Sequence, residues 1–158
     1  MTGADVKTAY IRAAAATGGL IIMVLGYAAV GMMLKRLNIT APFEPPAAYV
    51  AKYAVYLISA SAFAAFKILK KKFPKQATPE ETLKNMVRHS IMRSAISEMP
   101  AILGLMLFML TGFYTDLVLL LAFSLALEIF YFPRLSAWKD TLRVEFNVQM
   151  EGCHPRNP

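Results

Sequence analysis

Two glutamates stand out because each lies inside an otherwise apolar run. Glu98 is part of SAISEMPAILGLMLFMLTG, residues 94–112, two residues before Pro100, and Glu128 is part of LVLLLAFSLALEIFYF, residues 117–132. A charge at the centre of a membrane costs at least ~2.5–3.5 kcal/mol on insertion scales, so such a residue needs a partner or a task. Two acids that face each other in surroundings of low dielectric constant can hold a proton. The pair is therefore a candidate site for carrying a proton or another cation.

The same two acids have a structural alternative. With a turn near residue 115 and a rise of ~1.5 Å per helical residue, Glu98 lies roughly 25 Å and Glu128 roughly 20 Å from that turn, on neighbouring antiparallel helices. Arg93 and Arg134 lie one to two helical turns beyond them along the chain. Each arginine can reach back, so an intramembrane ion pair with Arg93 or Arg134 would pin the helix ends and carry nothing.

Signatures of enzymes and of metal or haem sites are missing from the sequence. It has no HExxH, no glycine-rich phosphate loop, no GxSxG and no CxxCH, and its single cysteine, Cys153, cannot form an intrachain disulfide. The two histidines, His89 and His154, have no second ligand nearby. An enzyme acting on lipids with Glu98, His89 and Ser97 is disfavoured, because His89 lies about two helical turns from Ser97. We expect neither a catalytic residue nor a metal or other cofactor.

Composition assigns the chain to the membrane class. Of its 158 residues 57% are apolar and 17% are charged, and the mean hydropathy is +0.47. The apolar share exceeds the ~45–50% that is typical of soluble domains. The net charge of +7 would suit a nucleic-acid partner, but the basic residues lie at the ends of apolar runs, where they orient a membrane protein. We therefore expect no nucleic acid.

Four apolar runs approach the ~20 residues that a spanning helix needs. Helices are the only open-chain structure that satisfies every backbone amide inside lipid. The sequence thus predicts an all-α polytopic membrane protein, one domain of two helical hairpins, with Tyr114–Thr115–Asp116 as the tight turn of the second. The first run is longer than a cleaved signal core, so we expect it to be retained. The four predicted spans are about 13–34, 47–66, 94–113 and 117–132.

The distribution of lysine and arginine predicts the orientation. The segment 67–93 between the second and third spans is strongly basic, whereas the turn between the third and fourth has no lysine or arginine. This asymmetry places 67–93 and both termini in the cytoplasm, in a plasma or inner membrane, although Lys35, Arg36 and Lys52 count against it. We expect the basic face to contact anionic lipid headgroups or a partner protein. Its residues are Lys67, Lys70, Lys71, Lys72, Lys75 and Arg88.

Local signals give three further expectations. TPEE, residues 78–81, predicts that the third helix begins near residue 79, with an amphipathic stretch that either lies on headgroups or extends the span against its neighbours. Ala15, Gly19 and Gly26 offer a packing face on the first span. In the tail 136–158, SAWKDTL would prolong the fourth helix, while RVEFNVQM, residues 143–150, alternates like a strand.

The stretch TPEETLKNMVRHSIMRSAISEMPAILGLMLFMLT, residues 78–111, resembles the loop and outer helix of the c-subunit (proteolipid) of rotary ATP synthases. The resemblance covers about a fifth of the chain and implies that Glu98 matches the ion-carrying carboxylate, followed by Ala101, Ile102, Gly104 and Leu105. The glycine-rich inner helix of that family has no equivalent here, and Glu128 has no counterpart in it.

These observations support two expectations about function. The first is a small non-enzymatic integral membrane protein, a membrane-embedded subunit or accessory component of a larger assembly. Its partners would be lipids and either other membrane subunits or further copies of the chain. The alternative is a proton- or cation-translocating component that uses Glu98 and Glu128.

Overall fold

The structure is a computed structural model that describes residues 3–37, 44–71 and 78–146. Within these ranges it is helical throughout, which confirms the all-α class. There are five helices in the described residues: α1 (Gly3–Arg36), α2 (Pro45–Lys71), α3 (Pro79–Thr111), α4 (Tyr114–Phe130) and α5 (Leu135–Phe146).

Helices α3 and α4 form an antiparallel hairpin at the centre of the fold. Gly112 ends α3 with φ 73°, and its backbone N–H donates to the Phe108 carbonyl at 2.8 Å. A left-handed residue favours glycine, which lacks the Cβ that would clash. The turn therefore lies at Gly112–Phe113, and the prediction of a break at Tyr114–Asp116 was wrong, because those residues already form the first turn of α4.

Helix α3 begins where its sequence predicts. The Thr78 side chain accepts a hydrogen bond from the Glu81 amide at 3.4 Å, and Pro79 occupies the first turn. The helix then runs without interruption to Thr111, so the amphipathic stretch is an extension of the span. This extension packs against α1 and α5, with Thr82 buried.

Helix α1 packs against α3 and α4 with the face opposite to the expected one. Ala13, Thr17 and Val24 are almost completely buried. An added Cβ at Gly31 would clash with Leu117 of α4. The predicted face was wrong: Ala15, Gly19 and Gly26 are exposed, and nothing lies within 4 Å of a Cβ built on either glycine. Alanine and glycine occur on both sides of this helix, so small residues alone do not identify the buried side.

The described helices contain fewer spans than the four predicted. Helices α1 and α3 are long and apolar enough to cross a membrane, and the bent pair α4–α5 gives a third if it counts as one span. Large apolar side chains also face outward; for example, Leu57 and Ile22 are 75% and 69% exposed. A membrane protein with transmembrane helices is thus supported, whereas the spans 47–66, within α2, and 117–132 remain predictions.

The fourth predicted span ends early because the chain bends. Helix α4 stops at Phe130 after 17 residues, about 26 Å at ~1.5 Å per residue. Residues 131–134 include Pro133, and α5 then leaves at 44° to α4. Its buried Trp138 meets Tyr10 of α1 edge to face, with ring centroids 5.9 Å apart.

This arrangement corrects two expectations about the tail. SAWKDTL belongs to a separate helix and does not prolong α4. Residues 143–146 of the expected strand are helical, since they form the last turn of α5, and residues 147–158 lie outside the described part of the chain.

Candidate functional site

The two glutamates of the apolar runs lie in the interior of the α3–α4 hairpin. Glu98 is 7% exposed and Glu128 is 1% exposed. Glu98 lies 14 residues before Gly112, and Glu128 lies 15 residues after Phe113. At ~1.5 Å per residue these separations are about 21 and 23 Å, so the acids lie at nearly the same distance from the turn. The two carboxylates are close enough to repel each other when both are ionised.

Glu98 has a hydrogen-bond donor from α1. The Tyr27 hydroxyl donates to Glu98 Oε1 at 2.9 Å. A phenol that donates to a carboxylate compensates part of the solvation that the acid loses on burial. The bond also ties α1 to α3 in the middle of the apolar interior.

Glu128 has no such donor. Neither of its carboxyl oxygens has a hydrogen-bond partner among the described residues. Ser94 is the polar side chain next to it, but the Ser94 hydroxyl donates to Thr17 Oγ1 at 3.0 Å, and Thr17 donates in turn to the Ala13 carbonyl at 3.0 Å. Ser94 Oγ can therefore still accept a hydrogen bond but not donate another. An ionised carboxylate can only accept, whereas a protonated one can donate to such an oxygen.

Serines hold the two helices together beside the acids. The Ser124 hydroxyl of α4 donates to the Ser97 carbonyl of α3 at 2.6 Å, and both side chains are completely buried. Pro100 lies three residues after Ser97 and lacks the N–H that the Ile96 carbonyl would otherwise receive. Helix α3 thus lacks one backbone hydrogen bond beside Glu98. The Ser124 hydroxyl of the neighbouring helix adds a hydrogen bond to the backbone at the next residue.

The arginines predicted to pair with the acids lie elsewhere. In the described part of the chain neither Arg93 nor Arg134 forms an ion pair with Glu98 or Glu128. The Arg93 guanidinium lies over the Tyr131 ring, 5.6 Å from its centroid, and Arg134 is exposed just before α5. The structure therefore brings the two acids together and leaves both arginines apart from them.

Comparisons with known proteins were made for the whole chain. No family model, curated protein or solved structure matches it. The resemblance to the c-subunit thus stays a prediction from the sequence, and the function has to be argued from the geometry of the site.

The remaining predicted contact residues lie along the basic segment. Arg88 is exposed on α3. Lys67, Lys70 and Lys71 belong to the last turns of α2, whose side chains are not described there, and Lys72 and Lys75 lie outside the described ranges. As for metals, no group of three or more histidines, cysteines or acids that could hold an ion occurs in residues 3–37, 44–71 and 78–146.

A second polar site near the hairpin turn was missed by the sequence interpretation. Asp116, taken as part of the turn, is buried on α4, and Lys52 of α2 lies 3.0 Å from its Oδ1. The Tyr56 hydroxyl donates to the same oxygen at 2.9 Å. The sequence does contain a signal for this pair: Lys52 and Asp116 are single charged residues, and each lies at the outer end of an apolar run. Opposite charges at matching depth are the combination that pairs inside a membrane.

Proposed function

We propose that this protein is a small, non-enzymatic membrane component that binds protons at the Glu98–Glu128 pair and passes them through the membrane. The observation that carries the proposal is Glu128: a carboxyl group 1% exposed, next to another acid, with no hydrogen-bond partner or ion pair among the described residues. Intramembrane acids in this position are typical of proton relays.

The surroundings favour a proton over a metal ion. A cation such as sodium takes several oxygen ligands, and no group of three or more acids, histidines or cysteines that could hold a metal ion lies around the pair in the described residues. A proton needs one donor and one acceptor, and Glu128 with Ser94 Oγ provides both.

A second candidate function is an accessory subunit that carries nothing. It is favoured by the exposed apolar face of α1, on which Gly19 and Gly26 have nothing nearby. Small residues allow close approach of a partner helix in lipid. In this case the acids would only fix the hairpin, and their amides would serve as well.

Proton flux in liposomes separates the two candidates. The purified chain is reconstituted with a pH-sensitive dye inside the vesicles, and a potassium diffusion potential drives uptake. We expect Glu98→Gln and Glu128→Gln to reduce flux to the level of protein-free vesicles, because an amide cannot release a proton. Glu80→Gln, the same substitution at an exposed position of α3, should leave flux unchanged.

Three results would overturn the assignment. Wild-type flux no higher than that of protein-free vesicles favours the accessory role, and flux that persists unchanged in both Glu98→Gln and Glu128→Gln means that the two acids are not its route. Flux that requires sodium and ignores an imposed proton gradient replaces the proton by a metal ion. Helical content and elution as a single species check that each variant has folded.

A further inference from the structure

A cavity of about 310 Å³ opens between the first half of α3, the bend after α4 and the first turns of α5. It lies on the far side of the two glutamates from the Gly112–Phe113 turn, where the predicted orientation places the cytoplasmic boundary of the membrane. The function proposed above makes no use of it.

The charged side chains of its lining are basic. Arg93 and Arg134 line the cavity together with His89 and the hydroxyls of Ser90 and Thr141, and no acid is among the described residues that do so. Arg93 is half-buried, and its Nε is buried without a hydrogen-bond partner within the described ranges. A half-buried guanidinium that lacks an anion close by retains most of its capacity to bind one. Its planar fork matches the oxygens of a phosphate group.

The cavity also has an apolar side. Phe130 and Phe132 line it together with Met86, and Phe130 is 75% exposed. Tyr131 and Trp138 add the amphipathic rings that are enriched at the boundary between headgroups and acyl chains. A free anion would leave this side uncovered, whereas a lipid can place its phosphate on the arginines and its acyl chains along the phenylalanines.

We infer that this cavity, which we call the inner pocket, is a binding site for the phosphate of an anionic phospholipid. Arg93 of α3 is its principal ligand, and Arg134 of the bend before α5 is its second. Basic pockets between helices on the cytoplasmic side are suited to anionic headgroups. The bound lipid would fix α5 against α3 and provide the counter-ion that Arg93 lacks within the described chain. This inference does not depend on proton transfer at Glu98 and Glu128.

The only tryptophan of the chain reports directly on the inner pocket, because Trp138 lines it. The full-length protein is delipidated in detergent and titrated with brominated phosphatidylglycerol or brominated phosphatidylcholine, whose bromines quench tryptophan fluorescence on contact. We expect phosphatidylglycerol to quench Trp138 at concentrations about tenfold lower than phosphatidylcholine does, since a charge-assisted bidentate contact contributes roughly that factor or more.

Matched arginine variants test whether a defined site or general attraction is responsible. Arg93→Gln should weaken phosphatidylglycerol binding about tenfold, and Arg134→Gln should weaken it to a smaller extent because that residue is more exposed. Arg12→Gln removes the same charge from an exposed position of α1 outside the lining and should leave binding unchanged.

Three outcomes would overturn the inference. Equal quenching by the two brominated lipids in the wild-type protein means that no anionic headgroup is selected. Equal loss of binding in Arg12→Gln and Arg93→Gln means diffuse electrostatic attraction. Displacement of the lipid by inorganic phosphate at the same concentration means that the inner pocket recognises a free anion. Should Arg93→Gln fail to fold, Arg134→Gln and the wild-type comparison still decide.

Discussion

Individual polar residues decide how the interior of this protein is held together. Glu98 and Glu128 lie at similar depth, yet only Glu98 receives a hydrogen bond, from Tyr27. Asp116, nearer to the turn, forms an ion pair with Lys52 and accepts a hydrogen bond from the Tyr56 hydroxyl. The buried acids therefore divide into two kinds: Asp116, which is fully compensated and suited to a structural role, and the Glu98–Glu128 pair, which retains the capacity to take up a proton.

The ion pair of Asp116 with Lys52 predicts how a substitution of Asp116 changes the stability of the fold. Asp116→Asn removes the charge that balances Lys52, and we expect it to destabilise the fold by about 2 kcal/mol. This is below the ~3–5 kcal/mol typical of fully buried pairs, because the Lys52 side chain is 30% exposed and can be solvated. Unfolding in mixed micelles of rising denaturing-detergent content, followed by Trp138 fluorescence, measures the change.

A double-mutant cycle with Lys52→Met identifies the source of that loss. The double variant should be more stable than the sum of the two single changes predicts, because no unpaired charge remains. Asp140→Asn, at an exposed position of α5, is the control and should change stability little. Strict additivity of Lys52→Met and Asp116→Asn would show that the ion pair contributes nothing.

At the scale of the helices, close contacts at glycine fix the α3–α4 hairpin. A Cβ built on Gly104 would lie 2.8 Å from Leu120 Cβ, closer than side chains approach, and 3.7 Å from the Leu117 carbonyl oxygen. The two helix backbones approach each other here because glycine has no side chain. Glycine in a helix is otherwise unfavourable by about 1 kcal/mol relative to alanine, so its presence needs a packing reason.

Alanine substitutions test this contact with a control in the same protein. Gly104→Ala should destabilise the hairpin by about 1–2 kcal/mol, since the overpacking outweighs the gain in helix propensity. Gly19→Ala, on the exposed face of α1, meets nothing within 4 Å and should be neutral or slightly stabilising in the same micelle-unfolding assay. Equal effects of both substitutions would contradict the close packing of α3 on α4.

The helices show how far the sequence predicts the fold and where it stops. The cap at Thr78–Pro79 and the apolar runs are local signals, and they correctly predict the start of α3 and the helical class. The buried face of α1 is not predictable from such signals, because both faces are apolar and contain small residues. The Lys52–Asp116 contact joins two helices far apart in the chain, so no local pattern predicts it.

The candidate site likewise combines features that local sequence predicts with contacts between distant helices that it does not predict. The sequence identifies Glu98 and Glu128 through their cost inside an apolar run. It does not predict that Tyr27 compensates Glu98, because Tyr27 comes from α1, 71 residues away in the chain. Arginines near in sequence were the obvious partners, but the helix directs Arg93 toward Tyr131 and the inner pocket.

At the scale of the whole molecule, we propose that apolar helices cross a bilayer and that the basic segment 67–93 lies on its inner side. Helices α1 and α3 have the length and hydropathy for this, and large apolar side chains face outward. The lysines and arginines concentrate in the segment 67–93, from the end of α2 to the first half of α3. Positive loops stay on the cytoplasmic side, so this concentration sets the predicted orientation.

Cysteine accessibility tests this central claim most directly. Thr40→Cys and Lys75→Cys, each made in a Cys153→Ser background, report on the segment between α1 and α2 and on the segment between α2 and α3. The native Cys153 of the unsubstituted protein reports on the carboxyl-terminal tail. With a membrane-impermeant maleimide on intact cells, we expect labelling at position 40 and none at positions 75 and 153 until the membrane is permeabilised. Labelling at position 75 in intact cells, or identical labelling at positions 40 and 75, would contradict the account.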